Sequence, residues 1–134
     1  MVWKGGTNDD RGMMKLLVVD DSELIRSRLL GMFRDISGIQ EISTANTVQE
    51  TLYTTSHFMP TLVVLDLNLP DGHASRIIPT LRRMVPDLRI AVLTNDASDF
   101  NRERCLQAGA DWFFDKSTEL DKLLLLLQQQ AALH

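Results

Sequence analysis

Along most of the chain, short apolar runs alternate with longer stretches of helical periodicity. Leu16–Val19 is an unbroken apolar run ending in Asp20 and Asp21, the pattern of a buried strand. Leu24, Ile25, Leu29, Met32 and Phe33 then recur at helical spacing and predict a helix to about Arg34, capped by Ser22 or by Asp21. Glu41–Ala45 predicts a second, shorter strand. Thr47 and Glu50 make a capping box for a helix through Ser56. Pro60 introduces the apolar run Leu62–Leu65, which ends in Asp66, and Pro70, Asp71 and Gly72 make a turn. A helix is predicted over Ser75–Met84, with Pro79 in its first turn or kinking it. Ile90–Leu93 is a fourth apolar run, ending in Thr94. A helix follows Asp99 and stops before Gly109. Trp112–Phe114 leads to Asp115 and Lys116, and a last helix starts near Ser117. On that helix Leu120, Leu123, Leu124 and Leu127 form one buried stripe, while Leu125 and Leu126 fall partly outside it as exposed apolar surface.

Five strands interleaved with five helices define an α/β chain. The internal strands are continuous apolar runs, which fits a parallel sheet covered on both faces. Right-handed crossovers make that sheet doubly wound. Periodicity alone leaves the strand order open. Residues 1–14 show no periodicity and are expected to be a flexible leader, with Met13 and Met14 as later candidate starts. The folded unit is expected over 15–130 and a tail over 131–134.

At 134 residues the chain has about one domain's worth of core, and 44% apolar with 24% charged residues is ordinary for a globular protein. A formal net charge of -4 argues against direct nucleic-acid binding by this chain. The single cysteine, Cys105, makes no internal disulfide and reads as a half-buried helix residue, so a cytoplasmic setting is expected. No secretory signal, membrane span or zinc-ligand cluster is visible. No glycine-rich phosphate loop follows the first strand, which disfavours a nucleotide-binding function.

Chemistry gathers at the strand ends, where ligands bind in open α/β sheets. Asp20, Asp21, Asp66, Thr94 and Lys116 each lie just beyond an apolar run. Singly, an aspartate there is a helix cap, a threonine a turn residue and a lysine a solvated charge. Together they crowd three carboxylates, which a cation would hold ionised. Oxygen donors suit a hard ion, Mg2+ or in its place Mn2+. Asp66 is the best candidate nucleophile for an acyl phosphate, since it ends the central-looking third strand. Lys116 would neutralise one phosphoryl oxygen and Thr94 would donate to another.

The segments LLVVDDSELIRSRL, TLVVLDLNLPDG, IAVLTND and AGADWFFDKS, in that order, resemble the receiver domain of bacterial two-component response regulators over about residues 15–130. The resemblance implies a flavodoxin-like, five-stranded parallel sheet in the order 2-1-3-4-5. It implies metal binding by Asp21, Asp66 and the backbone carbonyl of Asn68, with Asp20 acting through water. Thr94 and Lys116 would contact the phosphoryl group, and Thr94 with Phe113 would form the switch. Asn95 and Asn68 would modulate access to the site. The implied donor is a histidine kinase or phosphotransfer protein, with self-catalysed hydrolysis resetting the switch. The first helix, with Arg26 and Arg28, would help dock that donor, although both arginines read equally well as solvated. Output would pass through the fourth helix, fifth strand and fifth helix. A homodimer through the fourth and fifth helix region is expected, as is a C-terminal output domain in transcription control.

Four positions depart from the family pattern. Asn95 stands where a small residue is usual, Ala74 where glycine is usual, and Ser117 where proline is usual, which bears on a cis Lys116–Ser117 bond. His73 lies on the turn near the site and reads as a solvated loop histidine. The competing functions are a non-switching interaction scaffold and a metal-dependent phosphohydrolase. The complete residue set disfavours the first, and the lack of a recognisable substrate pocket and general acid disfavours the second.

Overall fold

Each apolar run becomes a strand, and the runs pair in parallel because a helix returns the chain to the same end of the sheet after every one. A computed structural model describes residues 2–4 and 14–133. Its elements are β1 (Val2–Lys4), β2 (Met14–Val19), α1 (Glu23–Phe33), β3 (Ile39–Ala45), α2 (Val48–Phe58), β4 (Leu62–Leu65), β5 (Asn68–Leu69), β6 (Gly72–His73), a 3-10 turn (Ala74–Ile77), α3 (Ile78–Met84), β7 (Arg89–Thr94), α4 (Asp99–Ala108), β8 (Trp112–Asp115) and α5 (Leu120–Ala132). The main sheet runs β1-β3-β2-β4-β7-β8. Its five parallel strands keep the expected doubly wound order, second, first, third, fourth, fifth.

The sixth strand corrects the expectation of a five-stranded, all-parallel sheet. β1 pairs antiparallel with β3, Val2 opposite Ser43 and Lys4 opposite Glu41. Val2–Lys4 falls within the segment expected to be a leader. The strand covers the open edge of β3, and Trp3 packs against the core. Met14, also within that segment, begins β2 and is fully buried. The rest of the proposed leader, including Met13, lies outside the described residues, as does His134.

Alternation along the strands sorts the core into two layers. Leu16, Val18, Leu62, Val64, Ala91 and Leu93 face α1 and α5, meeting Leu29, Leu30, Phe33, Leu123 and Leu127. Leu17, Val19, Val63, Leu65, Ile90 and Val92 face the other way, toward Ile78, Leu81, Cys105 and Phe113. Cys105 is fully buried, not half-buried as expected, and burial pushes its thiol up to about 11.

Local signals place most boundaries. Ser22 is the N-cap of α1, accepting from Ile25 N–H at 3.3 Å. Thr47 caps α2 through Glu50 N–H at 2.9 Å, and that helix runs to Phe58, two residues past the expected end. Ser98 caps α4, and Gly109 ends it in the left-handed region. The third helix enters through the 3-10 turn, with Pro79 in the first turn of α3. Ala74 sits in that turn with ordinary geometry. The positive φ falls at Gly72, whose missing Cβ would approach Val48 Cγ2 at 3.7 Å.

The last helix differs more. It starts at Leu120, not near Ser117, because Asp115 accepts from the Ser117 amide and hydroxyl and holds the chain in a turn. It runs to Ala132, so the expected tail from residue 131 is mostly helix. Leu126 is buried, against expectation, while Leu125 is 56% exposed. No cis peptide occurs among the described residues, so Lys116–Ser117 is trans. Among the described residues no helix is long and apolar enough to cross a membrane.

Candidate functional site

Strand register builds the site. Val19 pairs with Leu65, so Asp20 and Asp66 emerge side by side from the two neighbouring strands β2 and β4. Thr94 pairs with Asp115, which places Lys116 one step beyond, and Lys116 N–H donates to Thr94 O at 2.9 Å. Asp20, Asp21, Asp66, Thr94 and Lys116 thus meet at one end of the sheet, as the spacing of the runs predicts.

The carboxylates converge closely. One oxygen from each of Asp20, Asp21 and Asp66 lies within 4.8 Å of the others. Asp20 and Asp66 are buried and Asp21 is exposed. Lys116 Nζ bridges the buried pair, 2.5 Å from Asp20 Oδ2 and 3.1 Å from Asp66 Oδ2. The other oxygens meet backbone donors: Ser22 N–H to Asp20 Oδ1 at 2.9 Å, and Leu67 N–H to Asp66 Oδ1 at 2.7 Å. Arg26 Nη1 donates to the Asp20 carbonyl at 2.6 Å.

The charges are finely opposed. Burial pushes the Asp66 carboxyl above its ordinary range, and the Lys116 charge and hydrogen bond only partly reverse it, with Asp20 adding repulsion. Burial alone would lower the Lys116 pKa, but the Asp20 hydrogen bond and the charges of Asp66 and Asp20 outweigh it and raise the net value. An ammonium thus stands between two buried acids. The carboxylate oxygens of Asp20 and Asp66 and the solvent-facing Asp21 form an all-oxygen set that fits a hard divalent cation.

Thr94 is fully buried. Its hydroxyl accepts from Asp96 N–H at 3.1 Å, so its own proton remains available to a ligand. Buried Asn101 braces this loop by donating to Asp96 O at 3.0 Å, while Asn95 is exposed beside it. Asn68 is also exposed. Its backbone is fixed by the β5–β6 hairpin, with Asn68 opposite His73.

Phe113 is buried and faces inward beside Cys105 and Ile78. Arg102 lies 4.9 Å above its ring, donates to its carbonyl at 3.3 Å, and reaches Glu119 at 3.7 Å. His73 is not the free loop residue expected, since its Nδ1 lies 2.7 Å from Ser75 Oγ and it is partly buried. Burial, then the nearby Arg104 charge, hold its pKa below the usual value.

Sequence reasoning missed two supports. Asp71 caps α2 from across the molecule, accepting from Val48 N–H at 2.6 Å and Gln49 N–H at 3.0 Å. Arg26, counted with Arg28 as surface charge, instead folds back onto the acidic loop. Neither contact leaves a local signal, since capping by Asp71 spans more than twenty positions and a helical arginine advertises no direction.

Comparison with known proteins agrees with this geometry. A family model described as the response regulator receiver domain matches residues 16–128. The chain is similar to the response regulator GacA of Pseudomonas aeruginosa, 30% identical over 117 residues, covering 87% of this chain and 55% of that protein. It is similar to the DNA-binding transcriptional activator DevR/DosR of Mycobacterium tuberculosis, 31% identical over 104 residues, covering 78% and 48%. The chain spans about half the length of these curated relatives. Among solved structures, a Burkholderia pseudomallei response regulator with a phosphorylated aspartic acid, calcium ion and citrate superposes with a TM-score of 0.76 at 28% identity, covering 89% of this chain and 69% of that one. The beryllofluoride-activated NtrC4 receiver domain dimer gives 0.77 at 28% identity, covering 89% and 97%. With the match spanning nearly every described element and the acidic strand-tip site in place, the chain belongs to the response regulator receiver domain family.

Proposed function

We propose that Asp66 accepts a phosphoryl group from a phosphohistidine donor, a histidine kinase or phosphotransfer protein, and that this event reshapes a partner surface. One observation carries the proposal: a single lysine amine bridges two buried carboxylates that share a cluster with a third. The attacking atom is an Asp66 carboxylate oxygen. Its new O–P bond forms as the donor's N–P bond breaks, and the bonding electrons stay on the imidazole nitrogen, which takes up a proton. Acyl phosphate formation removes the Asp66 negative charge, which releases Lys116 to pair with a phosphoryl oxygen. The Thr94 hydroxyl donates its proton in a hydrogen bond to another.

Asp21, Asp66 and the Asn68 carbonyl, with Asp20 through water, would hold Mg2+, which supplies charge neutralisation between carboxylates and phosphoryl oxygens. Mn2+ would substitute. Attack by water on phosphorus later restores the Asp66 carboxylate and releases phosphate. Asn95, next to Thr94, and Asn68, two residues after Asp66, would limit the approach of water and donor. Thr94, drawn toward the phosphoryl group, would change the packing under Phe113 and so the α4–β8–α5 surface. Exposed Leu106 on α4 and Leu125 on α5 support a homodimer through that region. The regulated output is proposed to be transcription, through a further domain like that implied by the length of the relatives.

The test is transfer of labelled phosphate from a phosphohistidine protein in the presence of Mg2+. The parent should take up label, chelation should stop it, and Asp66→Asn should not be labelled. Label retained by Asp66→Asn would refute the assignment.

A further inference from the structure

Asp20 lies where the β2 ladder ends. Val19 O accepts from Asp66 N–H, and Asp20 N–H donates to Ala45 O, so the sheet's pairing is complete up to that amide. The next carbonyl, Asp20 O, has left the sheet and has not entered the helix. The first carbonyl to accept an α1 amide is Ser22 O, from Arg26 N–H at 2.9 Å. Asp20 is 2% exposed, so an unmet carbonyl there would be costly. The Arg26 side chain meets it, donating Nη1 to Asp20 O at 2.6 Å.

That carbonyl shares a rigid peptide plane with the Asp21 amide. Fixing its oxygen fixes the plane, and the plane sets where the Asp21 Cα and carboxylate begin. Asp21 is the exposed member of the cluster and has the most freedom to lose.

We propose that Arg26 is a positioning residue, whose hydrogen bond to the Asp20 carbonyl orients the Asp20–Asp21 peptide and so sets the divalent-cation affinity of the site. This rests on the metal-binding role proposed above for the three aspartates. It has a distinctive sign. The guanidinium is a positive charge near a cation site, so its through-space effect opposes binding. Removing it would tighten binding if charge were all that mattered. Removing a positioning contact loosens binding in spite of the charge relief.

The experiment titrates the phosphate-free protein with Mg2+ by calorimetry, comparing parent, Arg26→Ala and Arg26→Lys. Amide hydrogen exchange is followed without metal, and thermal unfolding confirms that each variant is folded. Arg26→Ala should bind Mg2+ about 10–100-fold more weakly, the scale typical of residues that orient metal ligands. The Ser22 amide, which donates to Asp20 Oδ1, should exchange faster while core α1 amides do not change. Arg26→Lys keeps a charge but not the planar fork, and should fall between parent and alanine. Unchanged or tighter Mg2+ binding in a folded variant would overturn the proposal. If Arg26→Ala does not fold, Arg26→Lys carries the same test. Failure of the parent to bind Mg2+ would overturn the metal-binding role instead, and the Ser22 exchange rate would still decide whether Arg26 orders the loop.

Discussion

Replacing Lys116 by methionine keeps the length of the side chain and removes the one cation between Asp20 and Asp66. The structure bounds the effect. At separations of 2.5 and 3.1 Å, an effective dielectric of about 20 gives gross attractions of about 7 and about 5 kcal/mol. Side-chain exposures of 13%, 2% and 10% for Lys116, Asp20 and Asp66 mean that solvent screens little of this. Desolvation of the ammonium offsets several kcal/mol of it, and stranding a buried charge by removing its partner typically costs about 3–5 kcal/mol net. For a domain of this size that corresponds to a fall in Tm of about 10–20 °C without metal. The assay is urea unfolding across pH in chelator. The gap should narrow as pH falls, because the stranded Asp66 carboxylate then protonates, and added Mg2+ should also narrow it. In the parent, the raised Lys116 pKa contributes stability that is complete below the unfolded value of 10.5 and is lost as pH rises through the folded value. Methionine should remove that alkaline loss. A variant as stable as the parent at neutral pH in chelator would refute the view that Lys116 holds two buried acids in place.

Burial dominates the raised Asp66 pKa, so its contribution to stability is present at low pH and lost as pH rises through the folded value. Metal-free Asp66→Asn should therefore be more stable than the parent at pH 7, and urea midpoints that coincide from pH 4 to 7, on the order of the usual carboxylate range and above, would contradict this. Asn95→Ala should speed both phosphorylation and dephosphorylation by opening access to Asp66, and equal rates would show Asn95 to be a bystander. Backbone hydrogen bonds from Gln49 and Val48 lower the Asp71 pKa, giving stability present above the unfolded value and lost as pH falls through the folded one. Asp71→Asn should abolish that acid-side loss and speed amide exchange at Val48 and Gln49, and unchanged exchange would show that the cap does not hold α2.

What could be read from the chain was whatever is local or repeats. Leu16–Val19, Leu62–Leu65 and Ile90–Leu93 declare buried strands and point to Asp20 with Asp21, Asp66 and Thr94 at their tips, and Trp112–Phe114 points in the same way to Lys116 just beyond, so the five site residues are legible in the sequence. Strand β1 was not, because three residues without periodicity carry no strand signal, and only pairing with the β3 edge makes them one. Five consecutive leucines from Leu123 to Leu127 also hide which face is buried. Tertiary packing, not pattern, buries Leu126 and leaves Leu125 exposed. The contacts of Arg26, Asp71 and Arg102 depend on the direction a long or capping side chain takes across elements, which no spacing rule encodes.

The acyl phosphate itself offers the most direct test of the account. After transfer from a phosphohistidine donor in Mg2+, borohydride should reduce one aspartyl phosphate to homoserine, and peptide mass spectrometry should place homoserine at position 66 alone. Homoserine at position 20 or 21, or a phosphorylated protein with Asp66 unmodified, would contradict it.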